Sequence, residues 1–352
     1  MPVPDQATVI DLRLTSAPAK IYIEHSTAGQ VLNFDFIVEN LSEKRWRIEH
    51  VEVSVHDSQG KLVTRKFVDE SGSIQTIPNR ELMGKTSALI FNPFFLFDHQ
   101  MDLHTLRYNL MLAPLNGRDQ ENTMGTKMIL ETTVQPSEYT TKTELHLPVQ
   151  ERALIWDGHD FYSHHRRFNY LHPMLQHFGF KTNFQRYAYD FVPVNEEGDM
   201  FRDSHENNAD WFGFERPVHA TANGQVVDLF DGMPDNRAFD ETEIATREMV
   251  VFGNYVILDH QNGEYSCFAH LKQGSIVLKK GQNIQQGQVI GTIGASGSSL
   301  FPHLHYELRN GVAAKNVDGL PSYFHKFRRI LGSKSLDVQF GQIDTGDIIE
   351  PL

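Results

Sequence analysis

The chain has one cysteine, Cys267, in 352 residues. That scarcity excludes an intramolecular disulfide, a thiolate zinc knuckle and a thioredoxin-type dithiol. Long apolar runs are missing too. The most apolar stretch, ALIFNPFFLF at 88–97, is broken by Asn92 and Pro93 and falls well short of the roughly 18 residues of a bilayer helix, so no membrane span is expected. Basic charge is in deficit: 32 Lys and Arg stand against 45 Asp and Glu, for a formal charge of -13. With no basic block, neither nucleic acid nor an anionic membrane is expected as the main partner. The opening residues MPVPDQATVIDLRLTSAPAKIY carry no basic leader, apolar core or small-residue cleavage site, so no signal peptide is expected there.

What is abundant is histidine, with 18 residues. Without thiolates, any metal site must be built from imidazole and carboxylate. The length favours two domains, and the pattern divides near residue 150. Up to that point, short alternating runs (IYIEH, VLNFDFIVEN, IEHVEVSVHD, KLVTRKFV, LRYNLMLAPL, KMILETTV, TELHLPV) are separated by turn clusters such as SQG, SGS and NGRD. This spacing predicts an immunoglobulin-like β-sandwich over 1–150. The region 151–352 opens with a His-rich stretch, WDGHDFYSHHRRFNYLHP, and continues with the strand-like RYAYDFVPV. Hairpin units with Gly-centred turns follow, so a second β-rich domain is expected and the fold class is all-β. PSYFHKFRRIL (321–331) reads as a short C-terminal helix stopped by Gly332.

Chemistry-bearing residues concentrate in the second region. In PHLHYEL (302–308), strand alternation sends His303 and His305 to one face. His270 ends the run YSCFAHL, and Asp190 lies among Tyr, Ala, Phe and Val in YAYDFV. An aspartate there is costly to bury unless it is paired or binds a cation. Taken singly, Asp190 and His270 read as satisfied core groups and the His303–His305 pair as a solvated strand face. GASGSS (294–299) reads as a flexible loop beside the HLH strand, since no P-loop lysine follows it. The GQ hairpin tips of KKGQNIQQGQVIG lack the modifiable lysine of a biotinyl or lipoyl carrier.

Taken together the segments form an ordered set: YxYD, PVxAxxxGxVV, GNYVILDHxNGxYxxxAHL, VxxGQxIxxGQVIGxxGxSG and HLHYEL, from Tyr187 to Arg309. This set closely resembles the lysostaphin-type zinc metallopeptidases. The resemblance implies a β-rich domain that cuts short peptide cross-links, mostly in bacterial peptidoglycan. It also implies a Zn2+ cofactor held by Asp190, by His305 and by an upstream histidine, with a water in the remaining position. His303 and His270 would line the site as general base and transition-state stabiliser. A wall substrate would require a periplasmic or extracellular location; oligomeric state is not indicated.

One position departs from the family pattern. The upstream ligand belongs four residues before Asp190 (190 − 4 = 186), where this chain has Arg186. A guanidinium stays protonated and offers no lone pair to a metal. Extended-strand parity would put Arg186 on the Asp190 face. Either the two pair and the domain is a catalytically inactive module that binds wall peptides or activates a partner hydrolase, or another histidine completes the site and Arg186 serves the substrate's carboxylate or the oxyanion. His159, His164 and His165 are the candidates; His164 and His165 would face opposite ways if extended, so one alone would reach the metal. A structural or adhesive two-domain protein, with neither metal nor wall binding, is a third possibility.

Overall fold

The computed structural model describes residues 11–69, 80–116, 120–121 and 127–352. The SGS turn expected at 71–73 and positions 117–119 of the NGRD cluster lie outside them. The chain separates into two compact units, Met1–Tyr139 and Thr140–Leu352, and the regular secondary structure of the described residues is almost wholly β-strand.

In the first unit, Leu12–Ala17, Asp35–Asn40 and Ser87–Phe91 form one antiparallel sheet, and the long strands Arg45–His56 and Thr105–Asn116 centre a second. Alternation explains both. Val51, Val53 and Val55 point inward with Leu110, Tyr108 and Leu106 opposite them, as does Ile48 opposite Leu112, into a core shared with Phe34, Phe36 and Val38. TELHLPV, read above as the last strand of this region, belongs to the second unit. There it makes a single bridge, Leu145 to Phe324, instead of a ladder.

The second unit is built on one ten-stranded antiparallel sheet. Its central order is Gly224–Phe230, Asn254–Asp259, Tyr265–Leu271, Leu304–Arg309, Tyr189–Pro193 and Ala153–Asp157. Every residue of Tyr189–Pro193 and Leu304–Arg309 is buried, so these strands lie at the middle of the layer with material on both faces.

The expected C-terminal helix is a strand. Phe324–Leu331 pairs with Lys334–Gly341 on one side and Ile348–Pro351 on the other, which satisfies its backbone groups without helical bonds. Gly332, at φ 63, opens a two-residue hairpin loop. A glycine with positive φ serves a tight hairpin as well as a helix stop, and the sequence pattern does not separate the two. The one α-helix among the described residues is Pro173–His177, a single turn with proline at its start.

Candidate metal centre

Three adjacent strands place one residue each in a single row. Asp190 lies directly opposite His305 on one side and Asp157 on the other, and directly opposite residues in an antiparallel pair share a face. The Asp157 pairing depends on a β-bulge at Trp156, where the register shifts between Ile155 and Asp157. A bulge adds one residue and re-aims the side chain that follows it. Without it Asp157 would point to the other face.

Asp190 is the hub. Its Oδ1 lies 3.0 Å from His305 Nδ1 and 3.4 Å from His303 Nε2, and its Oδ2 lies 3.7 Å from His165 Nε2. Burial opposes its ionisation, but the charges of His165 and His303 and the hydrogen bonds from His303 and His305 hold it well below the usual carboxylate range. His305 is fixed from behind: its Nε2 bonds Glu307 Oε1 at 2.7 Å, and Glu307 in turn accepts from Arg309 Nη1 at 3.2 Å. Burial lowers the His305 imidazole, yet Asp190 and Glu307 together raise it to about 10. Glu307 went unnoticed in the sequence, although alternation in HLHYE puts it on the His303 and His305 face.

The His-rich stretch comes in from outside the sheet. His164–Arg167 is a turn, not an extended segment, so the expectation that His164 and His165 face opposite ways does not hold. Both rings meet Asp157: His164 Nδ1 bonds Asp157 Oδ2, and His165 Nδ1 lies 3.0 Å from the same oxygen. Burial lowers His165, against the pull of Asp190 and Asp157. His164 is drawn up by Asp157 despite its own partial burial. One ligand atom each from Asp157, His164, His165 and Asp190 fit within 4.8 Å of one another. Asp157 was also missed in the sequence, and only the bulge could have revealed it.

His270 and His303 close the other side, with ring centroids 4.8 Å apart. Each directs Nδ1 to a backbone carbonyl: His270 to Ser296 O at 2.8 Å, His303 to Phe301 O at 2.7 Å. For His270, Nε2 is therefore the lone-pair nitrogen in the neutral ring. Burial, then the neighbouring His303 and His305, keep His270 well below the usual imidazole range. His270 adopts φ 59, a left-handed conformation uncommon for histidine and frequent at functional sites. The GASGSS loop that supplies the Ser296 carbonyl is tied down and not the free loop expected. Ser296 Oγ donates to Leu271 O and accepts from Asn254 N–H, and Ser298 Oγ donates to Val251 O.

Two candidates lie elsewhere. His159 is a core residue: its Nδ1 bonds Gln342 Oε1 at 3.2 Å, its Nε2 accepts from Ser322 N–H, and its ring stacks on Tyr189. Arg186 sits buried in the turn before the Asp190 strand, which begins only at Tyr189, so strand parity does not govern it. Its charge is felt at Asp318. Beside the row opens a cavity of about 250 Å³, whose lining joins His165, Asp190, His270, His303 and His305 to the rings of Phe168, Phe180, Phe184, Phe252 and Phe301. No Lys or Arg lines it among the described residues.

The donor set suits a divalent cation. His165 is 4% exposed, and its Nδ1, although 3.0 Å from a carboxylate oxygen, is outside hydrogen-bond geometry. Its Nε2 faces a second carboxylate across a gap of 3.7 Å. Asp190 thus bonds His305 through Oδ1 and leaves Oδ2 facing the His165 imidazole unbonded, so nitrogen and oxygen donors of the kind a tetrahedral cation takes converge on one point.

Residues 209–318 match the family model described as Peptidase family M23; that span includes His270, His303 and His305. The chain is 38% identical to peptidoglycan DD-endopeptidase ShyA of Vibrio cholerae over 89 residues, 25% of this chain and 20% of ShyA. It is 44% identical to peptidoglycan DD-endopeptidase ShyC of the same organism over 61 residues, 17% of this chain and 14% of ShyC. Each match thus spans a fifth or less of the relative's length. Among solved structures, the catalytic domain of the antimicrobial peptidase lysostaphin from Staphylococcus simulans aligns over 40% of this chain and 81% of that chain, with 19% identity and a TM-score of 0.24.

Proposed function

We propose, from the match of residues 209–318 to the Peptidase family M23 model, that the second unit is a zinc-dependent endopeptidase acting on peptides of the peptidoglycan type. The observation that carries this reading is the Asp190 carboxylate, buried at the centre of His165, His303 and His305 beside an open cavity. Asp190, His305 and His165 hold the metal, with His165 taking the place that Arg186 leaves unfilled. Zinc, when bound there, supplies a Lewis acid that polarises a carbonyl and lowers the pKa of water.

The remaining steps belong to the chain itself. His270 is neutral and presents Nε2 as a base; once protonated it can donate to a developing oxyanion or to the leaving amine. His303, held by Phe301 O, offers a second imidazole beside it. The aromatic rings of the cavity accept an alkyl side chain and exclude water, which strengthens the electrostatics of its polar groups. The names of ShyA and ShyC support the substrate class. A wall substrate would place the protein in the periplasm or outside the cell. The competing reading, a metal-free module that binds wall peptides or activates a partner hydrolase, predicts no bound zinc.

Zinc content of the purified chain and release of muropeptides from isolated sacculi test the proposal. We expect about one zinc per chain, lost in Asp190→Ala and in His305→Ala, and a His270→Ala variant that keeps zinc but hydrolyses nothing. Absence of zinc binding at neutral pH with added metal would overturn it.

A further inference from the structure

We infer that Asp157 is the positioning residue that makes His165 a metal ligand, so that a carboxylate on the neighbouring strand and a histidine on a loop together replace the ligand absent at Arg186. The inference rests on the metal reading above and deepens it.

Asp157 contacts the His164–Arg167 turn through both oxygens. Its Oδ1 accepts the His164 backbone N–H at 3.1 Å, and its Oδ2 accepts the His165 backbone N–H at 3.1 Å. The carboxylate therefore fixes where the turn begins and how the His165 Cα is oriented. Asn183 holds the same turn from the far side, donating to the His165 and Arg166 carbonyls. Backbone placement alone leaves the ring free to rotate and to choose a tautomer. Asp157 restricts that choice as well, because its Oδ2 lies 3.0 Å from His165 Nδ1. An ionised carboxylate beside Nδ1 favours the tautomer with the proton on that nitrogen, leaving the Nε2 lone pair for a cation. Nε2 is the nitrogen that faces Asp190.

The row across the sheet explains why this carboxylate is at position 157. Asp157, Asp190 and His305 occupy consecutive strands in one register line. Asp190 and His305 supply metal-ligand atoms directly, while Asp157 lies one strand further out and reaches the centre through an imidazole. A matching arrangement stands at the opposite end, where Glu307 holds Nε2 of His305 and leaves Nδ1 toward Asp190. Each histidine ligand then has its own carboxylate behind it, the pairing that sets imidazole orientation and basicity in metal sites.

The test is zinc affinity of the full chain, measured by competition with a chromogenic chelator, for wild type, Asp157→Asn, His165→Ala and the double variant. Asn keeps one oxygen for the turn but removes the negative charge beside Nδ1. We expect Asp157→Asn to bind zinc about 10- to 100-fold more weakly, and the loss to vanish when His165 is already alanine, since the two act as one unit. The visible spectrum of the cobalt-substituted protein should change in Asp157→Asn, which a purely structural role would not produce while near-ultraviolet circular dichroism of the metal-free protein stays that of wild type. Wild-type affinity in Asp157→Asn, or an equal loss with and without His165, overturns the inference and leaves the metal reading intact. Should Asp157→Asn misfold, His165→Gln with Asp157 unchanged serves instead; undiminished zinc affinity there removes His165 as a ligand and the inference with it. No zinc bound by wild type overturns both readings.

Discussion

His159 gives a quantitative handle on the core around Tyr187 and Tyr189. It is 1% exposed, and both ring nitrogens are used: Nδ1 donates to Gln342 Oε1 and Nε2 accepts from Ser322 N–H. Protonation would turn Nε2 into a donor facing another donor, in a site that also desolvates the charge. Burial accordingly lowers the imidazole from about 6.5 to about 4. At about 1.4 kcal/mol for each tenfold change in proton affinity, that difference corresponds to ~3 kcal/mol. The folded-state value is depressed, and in the window between the two values the unfolded chain binds more protons. The contribution is therefore complete above pH 6.5 and is lost progressively as the pH falls toward 4, where both states become protonated. The comparison is wild type against His159→Gln, both stripped of metal, by urea unfolding at several pH values between 7.5 and 4.5. Other histidines titrate in both proteins and cancel in the difference. Wild type should lose up to ~3 kcal/mol more than the variant across this window. Parallel stability curves would refute the assignment of His159 as a satisfied neutral core residue.

Other consequences follow from the site. Glu307→Gln removes the charged acceptor behind His305 and should weaken zinc binding about 10- to 100-fold while one zinc per chain still binds at saturation; chelator competition measures it, and an unchanged affinity would show that Glu307 serves Arg309 alone. Gly297 has φ 73, and a Cβ there would lie 2.4 Å from Gly253 N. Gly297→Ala should cost at least ~1–2 kcal/mol of stability, read by urea unfolding. It should also lower hydrolysis, because the loop bearing the Ser296 carbonyl orients His270. Hydrolysis at the wild-type rate in a folded Gly297→Ala protein would separate the loop from the chemistry.

Much of the architecture was legible because its cause is local. Period-two alternation marks Arg45–His56 and Met128–Val134 as strands, since one face of each meets the core and the other meets solvent or a neighbour. The same periodicity puts His303 and His305 on one face and, had it been carried two residues further, would have included Glu307. It fails where the backbone leaves the regular repeat. Phe324–Leu331 has helix-compatible ends, and its identity as a strand comes from partners that begin at Lys334 and Ile348. Thr143–Val149 alternates like a strand but gains only one bridge.

Three conclusions were available from the chain before folding: that any metal here would be held by nitrogen and oxygen, that Asp190, His270, His303 and His305 are the residues to watch, and that position 186 cannot supply a ligand. The first conclusion needs only side-chain chemistry; the other two need the resemblance of Tyr187 to Arg309 to the lysostaphin-type peptidases as well as strand parity. The tertiary structure decided which histidine comes nearest Asp190 besides those on the HLH strand, and what holds it there. That choice depends on a bulge at Trp156 that turns Asp157 toward Asp190 and on a turn that brings His165 over the sheet. Both are long-range events: a one-residue register shift and a loop docking have no periodic trace in the chain, because the partners that stabilise them lie on other strands.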